Sequence, residues 1–231
     1  MEIHGLQKLT LLDFPGHTAC TVFTGRCNFR CPFCQNASLV LDPGSLAAIP
    51  EEDVFAFLEK RHGLLDGVAV TGGEPTLQPD LEDFLRKVKA MGYAAKLDTN
   101  GARPAVLRRI LEEGLADYVA MDVKSSPAGY NRCAGVTGDV LSPVRESVAL
   151  LEDSGIPHEF RTTAVKPLHT PEDFDAIGRW LQGTERYFIQ SFADSGDILE
   201  EGMSSFSREE LEGLLAAVRV WIPGAQLRGA D

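Results

Sequence analysis

The chain has 231 residues, of which 44% are hydrophobic and 24% are charged, and its formal net charge is −12. This length and composition suit a single folded domain over residues 1–231. The acidic charge and the dispersed Lys and Arg residues argue against a nucleic-acid partner. The sequence contains no run of about 18 apolar residues, so it predicts no membrane-spanning helix. Residues 1–5 lack the basic and apolar regions of a signal peptide, and the five cysteines are an odd count, so we expect a reducing cytoplasm.

Segments typical of strands and of helices alternate along the chain, which is the pattern of an α/β fold with a parallel sheet. We expect residues 1–16 to form an irregular N-terminal extension and residues 38–50 to form a second irregular stretch. The predicted strands are 17–24, 67–71, 94–98, 118–122, 158–163 and 186–190. The predicted helices are 51–62, 79–91, 104–113, 142–154, 171–181 and 208–221. Six such strand–helix units are compatible with an open sheet and with a partial barrel.

The most informative motif is a loop with three cysteines, directly after the first predicted strand. Cys27, Cys31 and Cys34 have the spacing C-x3-C-x2-C, which places three thiolates in one short loop. Iron–sulfur clusters are held by cysteine thiolates and usually take four, so three leave one iron open to a ligand that is not protein. The alternative is a structural zinc site completed by His17 or Cys133, although structural zinc ligands more often come in two separated pairs.

A second motif, Thr71-Gly72-Gly73-Glu74-Pro75, follows the second predicted strand. Paired glycines permit a positive φ and let a ligand approach the backbone closely. The structural alternative is a tight turn between a strand and a helix. Parallel α/β folds bind ligands at the carboxyl ends of their strands, and both motifs are expected there.

Charged and polar residues also stand at the ends of the later predicted strands. Asp98 and Asp122 end the third and fourth strands, and Lys124 follows Asp122. Asp98 is compatible with an Asx turn and with ligand contact, whereas Lys124 is compatible with an ion pair to Asp122 and with a solvated position. Arg161 and Gln190 belong to the fifth and sixth strands and are expected at the same rim.

The cysteine loop, with an aromatic residue just before its last cysteine, resembles the signature of the radical S-adenosylmethionine (radical SAM) enzymes. The resemblance implies a partial (β/α)6 barrel. It implies a [4Fe–4S] cluster on Cys27, Cys31 and Cys34, with S-adenosylmethionine bound at the fourth iron. It also implies that one electron from the cluster cleaves this cofactor to a 5′-deoxyadenosyl radical.

Further segments, Asp-Thr-Asn-Gly at 98–101 and Met-Asp-x-Lys at 121–124, resemble the activases of glycyl radical enzymes. By resemblance, and by their place on the expected rim, the residues around the cofactor are Phe33 and Gln35 near the adenine, Gly72, Gly73 and Glu74 at the methionine end, and Asp98, Lys124, Arg161 and Gln190. The same resemblance implies a monovalent cation near Asp98, Thr99, Met121 and Asp122.

Over nearly the whole chain, the motifs resemble the anaerobic ribonucleoside-triphosphate reductase activating proteins. The implied partners are a glycyl radical enzyme as protein substrate and a flavodoxin- or ferredoxin-like electron donor, since the chain lacks a ferredoxin-like insertion. Gln35 stands where these proteins usually have a histidine, so any contact of that imidazole does not carry over. The core motifs also suit a small-molecule enzyme such as the 7-carboxy-7-deazaguanine synthases, and a metal-stabilised binding module is the non-enzymatic alternative.

Overall fold

The computed structural model describes residues 1–229, whose strands form one sheet of eight in sequential order. The first strand, β1 (Ile3–Thr10), pairs antiparallel with β2 (Ala19–Thr24). Every later pair of neighbours is parallel. The later strands are β3 (Gly67–Gly72), β4 (Ala94–Thr99), β5 (Tyr118–Asp122), β6 (His158–Ala164), β7 (Tyr187–Ser191) and β8 (Gln226–Arg228).

Helices follow each of the parallel strands from β2 to β7, which gives the six predicted strand–helix units. They are α1 (Ala37–Leu41) and α2 (Glu51–Lys60) after β2, α3 (Leu81–Ala90) after β3, α4 (Pro104–Glu112) after β4, α5 (Tyr130–Ala134) and α6 (Leu141–Ser154) after β5, α7 (Pro171–Trp180) after β6, and α8 (Arg208–Arg219) after β7. Within residues 1–229, no helix is both long and apolar enough to cross a membrane.

The last two of these helices begin with the same local device. Thr170 and Ser207 each accept a hydrogen bond from the backbone three residues later, and the acidic residue there bonds back to the cap. Such capping boxes satisfy two N–H groups that have no partner inside the helix. Both helices then bury one apolar face, and they pack against each other.

The sheet curves into a partial barrel whose two edges are β1 and β8. One cavity receives side chains or backbone from β1 through β7, so these strands surround a common interior. Arg161 on β6 reaches past β5 to Asp98 on β4, with an Nη1–Oδ2 distance of 3.2 Å. The predicted partial (β/α)6 barrel is therefore confirmed, with β1 and β8 added at its edges.

Two predictions about irregular stretches were wrong. Residues 3–10 form a strand, because Ile3 is buried in the core and the backbone pairs with β2 from Ile3–Thr24 to Thr10–Ala19. The stretch 38–50 contains most of α1 and a 3-10 turn, Pro43–Ser45. We also did not predict α5 or β8, since elements of five and three residues are too short to show a hydrophobic period.

Candidate functional site

A cavity of about 370 Å³ lies inside the barrel and extends to the carboxyl ends of its strands. This volume falls in the range of about 300–1,000 Å³ that is common for small-molecule sites. The structure brings together every residue that we predicted as a cluster or cofactor contact. Lining the cavity are Cys27, Cys31, Cys34, Phe33, Gln35, Gly72, Gly73, Glu74, Asp98, Lys124, Arg161 and Gln190.

The three cysteines of the loop are free thiols on one wall of this cavity. Burial raises the pKa of Cys27 to about 11 and that of Cys31 to about 12. A buried thiol becomes a thiolate when a metal takes up its negative charge, so these side chains are suited to a metal rather than to free nucleophilic chemistry. Three soft donors, one fewer than a closed cluster needs, fit a [4Fe–4S] group with an open iron.

Backbone contacts from a distant helix support the cysteine loop. The Arg30 N–H donates to the Ala134 carbonyl at the end of α5, with an N–O distance of 2.9 Å. The loop and helix approach so closely that a Cβ on Gly135 would lie 1.8 Å from the Arg30 oxygen. The unpredicted helix α5 therefore holds the middle of the loop in place.

The paired glycines let the end of β3 pack directly against the start of this loop. Gly72 has a φ of 117°, and a Cβ there would lie 2.4 Å from backbone atoms of Thr24. A Cβ on Gly73 would lie 1.9 Å from the Arg26 oxygen. The Gly73 and Glu74 N–H groups donate to the Thr24 and Arg26 carbonyls at 2.8 and 2.7 Å. The motif therefore forms the tight turn that was the structural alternative, and its glycines also line the cavity.

Glu74 joins the glycine turn to the end of β4. Its carboxylate is buried and accepts bonds from Thr76 Oγ1, Thr99 Oγ1 and the Thr76 and Asn100 N–H groups, at 2.5–3.1 Å. Burial raises the pKa of Glu74, while these donors favour the charged form. The Glu74 carboxylate therefore bonds to protein groups, and its mutation should disturb the ends of both β3 and β4.

Four charged side chains, Asp98, Asp122, Lys124 and Arg161, form a second wall of the cavity. Asp98 accepts hydrogen bonds from Lys96 Nζ and from Arg161 Nη1. Asp122 accepts from Arg161 Nε at 2.9 Å and from Lys124 Nζ at 3.0 Å. We call these five residues, Lys96, Asp98, Asp122, Lys124 and Arg161, the barrel charge cluster. Asp98 makes ion pairs rather than the Asx turn considered above, and Lys124 pairs with Asp122.

Ion pairing controls the charge of the central carboxylate of this cluster. Burial opposes the ionisation of Asp122, but the charges of Arg161 and Lys124 outweigh it and hold its pKa well below the usual value. Burial likewise opposes the charged form of Lys124, and Asp122 keeps the pKa of that ammonium above its ordinary value. Both groups are therefore charged at neutral pH.

Only three of the four residues implied to surround a monovalent cation line the cavity. Asp98, Thr99 and Asp122 line the cavity, whereas Met121 is buried in the core with its methyl group beside Gly101. Both carboxylates already have two cationic partners each.

Gln35 and Phe33 connect the cysteine loop to other parts of the rim. Gln35 Nε2 donates to the Ala193 carbonyl in the segment after β7, and Ser195 Oγ donates to the Gln35 carbonyl at 3.2 Å. Phe33 is buried, and its ring meets His169 edge-on at 6.1 Å between centroids. Gln35, which stands where the anaerobic reductase activating proteins usually have a histidine, therefore links the cysteine loop to the segment after β7.

Neither His17 nor Cys133, the two residues considered as the fourth ligand of a zinc site, lines the cavity with the cysteines. His17 lies before the start of β2, at the other end of that strand from the cysteine loop, and its ring stacks on Phe14 at 4.1 Å. Cys133 is buried outside the cavity, with its sulfur towards the Leu168 carbonyl. Among residues 1–229, no three His, Cys, Asp or Glu side chains are arranged to hold a single metal ion.

Among the residues at or near the cavity that we did not predict as site residues, three make informative contacts. Lys96 is two positions before Asp98 in β4, and strand alternation alone places both on one face. Asn100 Nδ2 donates to Asn28 Oδ1 at 2.9 Å, close to the Cys27 sulfur. Asp13 accepts from Thr21 Oγ1 at 2.6 Å and lines the cavity, a position set by the β1–β2 hairpin that we had expected to be irregular.

Comparisons with known proteins agree with this geometry. The sequence of residues 21–181 matches the family model of the radical SAM superfamily. A Methanocaldococcus jannaschii protein, provisionally named as a glycyl-radical enzyme activating enzyme, is 29% identical over 82% of this chain and 79% of its own length. The 7-carboxy-7-deazaguanine synthase of Neisseria meningitidis serogroup B is 32% identical over 54% of this chain, which spans only 53% of that enzyme.

A solved structure shows the same fold. The crystal structure of Streptococcus suis SuiB bound to precursor peptide SuiA has a TM-score of 0.70 and 14% identity, covering 90% of this chain and 48% of SuiB. At this identity the likeness establishes the fold alone. With a family match over more than half of its length and the three cysteines on one cavity wall, the chain belongs to the radical SAM superfamily.

Proposed function

We propose that this protein is an activase that cleaves S-adenosylmethionine at a [4Fe–4S] cluster and generates a glycyl radical on a partner enzyme of the anaerobic ribonucleoside-triphosphate reductase class. The observation that carries the proposal is the gathering of Cys27, Cys31 and Cys34 with the glycine turn around one cavity. The M. jannaschii relative supports the activase role, because its match extends over 79% of its own length.

The cavity residues divide the work of binding. Cys27, Cys31 and Cys34 would hold the cluster, and the backbone at 72–74, which lines the same cavity, would bind the methionine end of the cofactor. Lys124 offers an ammonium to a carboxylate, since charge-assisted bonds of this kind are the strong ones. A bound cluster would supply the electron for reductive cleavage of the cofactor into methionine and a 5′-deoxyadenosyl radical, and that radical would become 5′-deoxyadenosine by taking an α-hydrogen from glycine.

No protein base is needed for this reaction. The hydrogen atom would pass directly from the glycine α-carbon to the 5′ carbon of the cofactor fragment, and the electron would come from an external donor of the flavodoxin or ferredoxin class. The protein contributes orientation and exclusion of water and oxygen.

Isotope transfer tests the proposal. An anaerobic ribonucleoside-triphosphate reductase is produced with α-deuterated glycine and mixed anaerobically with the iron-reconstituted protein, a reductant and S-adenosylmethionine. We expect a glycyl radical EPR signal and deuterium in the 5′-deoxyadenosine. The matched control is a reductase whose radical-bearing glycine is replaced by alanine, which should give neither signal.

Two results would contradict the activase role. Unlabelled 5′-deoxyadenosine with no radical on the reductase would show cofactor cleavage without this partner and would favour the small-molecule alternative. Absence of 5′-deoxyadenosine under all reducing conditions would contradict the proposed radical cleavage of S-adenosylmethionine.

A further inference from the structure

A buried lysine stands beside the carboxylates that were implied to hold a monovalent cation. Lys96 lies on β4, its side chain is 1% exposed, and its ammonium donates to Asp98. The centroid of the Tyr118 ring lies 6.0 Å from Nζ. A buried ammonium is costly unless it is paired, and the carboxylate of Asp98 is the ion-pair partner of Lys96 in the barrel.

Arg161 extends the same pairing to the second carboxylate. Its guanidinium spans Asp98 and Asp122, with distances of 3.2 and 2.9 Å, and its side chain is 12% exposed. Lys124 Nζ reaches the other oxygen of Asp122 at 3.0 Å. Each carboxylate therefore contacts two cationic groups of the protein itself.

The charge balance of the barrel charge cluster leaves no place for an added cation. It holds three cationic groups against two carboxylates, so its net charge is already positive. Four of its members, Asp98, Asp122, Lys124 and Arg161, line the cavity, so the two carboxylates that face it are already balanced by cationic side chains. A potassium or sodium ion would need oxygens that already accept hydrogen bonds, and it would add repulsion at distances where Coulomb forces are strong. The residues present do not fit a monovalent cation.

We propose that the ammonium of Lys96 is the resident cation of this site, so that cofactor binding requires neither potassium nor sodium. Lys96 acts through Asp98 and does not line the cavity, which makes it a positioning residue. This inference rests on S-adenosylmethionine occupying the cavity and is independent of the glycyl substrate.

The wild-type protein provides the first test. Binding of S-adenosylmethionine and formation of 5′-deoxyadenosine are measured in potassium, sodium and tetramethylammonium chloride of equal ionic strength. Photoreduced 5-deazariboflavin supplies electrons without an alkali cation. The melting temperature of the iron-free protein is measured in the same salts. We expect affinities within about twofold and equal melting temperatures, because no site exists for an ion to stabilise.

A loss of affinity of about tenfold in tetramethylammonium, or a specific rise in melting temperature with potassium, would overturn the proposal. If the protein binds no S-adenosylmethionine in any salt, the assignment of the cofactor to this cavity fails instead. The two failures are therefore distinguishable.

Lys96→Met sharpens the test by removing the internal cation. We expect it to bind S-adenosylmethionine about tenfold more weakly in tetramethylammonium and to recover part of this affinity in potassium, a dependence that a merely structural lysine would not create. The matched control is Lys89→Met, which removes a partly exposed lysine paired with Asp117 and should leave both values unchanged. Wild-type affinity of Lys96→Met in every salt would contradict the proposal. If this variant does not fold, the wild-type salt series decides.

Discussion

The two walls of the cavity are held in place by different kinds of contact. On one wall, the cysteine loop and the glycine turn meet through backbone contacts, with N–O distances of 2.7–2.8 Å from Gly73 and Glu74 to the preceding strand and loop. On the other wall, the barrel charge cluster meets through side-chain ion pairs. The first wall offers soft sulfur ligands and a closely packed backbone, and the second offers paired charges, among them the ammonium of Lys124.

The contrast separates two tasks that a radical enzyme must perform. Generating the radical needs a metal ligand set, and holding the cofactor needs a charge complement in fixed positions. Mutations on the first wall should therefore abolish the chemistry or the fit of the backbone, whereas mutations on the second should change stability and cofactor affinity.

The largest expected effect is that of Cys31→Ala on the first wall. Removing the most buried of the three ligands should abolish the visible iron–sulfur absorbance and all cleavage of S-adenosylmethionine, because two thiolates cannot hold the cluster. Iron content and 5′-deoxyadenosine are the measurements. Cys20→Ala is the matched control, since Cys20 is buried in β2 and does not line the cavity. Full cleavage activity in Cys31→Ala would show that the ligand assignment is wrong.

Arg161→Met tests the second wall. It leaves Asp98 and Asp122 with one cationic partner each in a buried setting, and we expect a loss of about 3–5 kcal/mol in the free energy of unfolding. Urea denaturation of the iron-free protein measures it.

Arg108→Ala is the control for Arg161→Met, because it removes an exposed arginine paired with Glu146 and should cost less than about 1 kcal/mol. An equally small loss in Arg161→Met would mean that the cluster contributes little to stability.

Gly73→Ala should have a somewhat smaller effect on stability. Its new Cβ would lie 1.9 Å from the Arg26 oxygen, so the turn must move away from the cysteine loop, at a cost of about 1–3 kcal/mol. We also expect weaker cofactor binding. Gly213→Ala in α8 has open space around it and should be neutral or slightly stabilising. Unchanged stability and binding in Gly73→Ala would indicate that the close backbone approach is not required.

Gln35→Ala should have the smallest effect. It removes the bond to the Ala193 carbonyl, for which we expect a loss of about 1 kcal/mol with the cluster retained. Thermal denaturation and iron content are the measurements, with Gln226→Ala on the exposed side of β8 as the control. Loss of iron from Gln35→Ala would show that this side chain does more than fasten the loop.

The two walls also differ in how far the sequence reveals them. Cys27, Cys31 and Cys34 are close in the chain, and the glycine pair directly follows a recognisable strand, so the first wall was predicted with its residues. The ion pair of Arg161 with Asp98 joins residues 63 positions apart. Its formation depends on the curvature of the sheet across β5, which no local pattern specifies.

Two further errors, the missed strand β1 and the missed residue Lys96, have different causes. The β1 strand has no clear apolar alternation, since Ile3 and Thr10 at its ends are buried while most residues between them are partly or fully exposed. Its place is set by pairing with β2. Lys96 was within reach of the sequence, because its two-residue spacing from Asp98 in a strand already indicates a shared face.

The most direct test of the radical SAM assignment is low-temperature EPR on the iron-reconstituted, reduced protein, recorded with and without S-adenosylmethionine and paired with chromatography for 5′-deoxyadenosine. We expect a [4Fe–4S]⁺ signal that shifts when the cofactor is added, together with 5′-deoxyadenosine that disappears in Cys31→Ala. A signal that ignores the cofactor, or a protein that takes up no iron, would contradict the assignment of the cavity as a radical SAM centre.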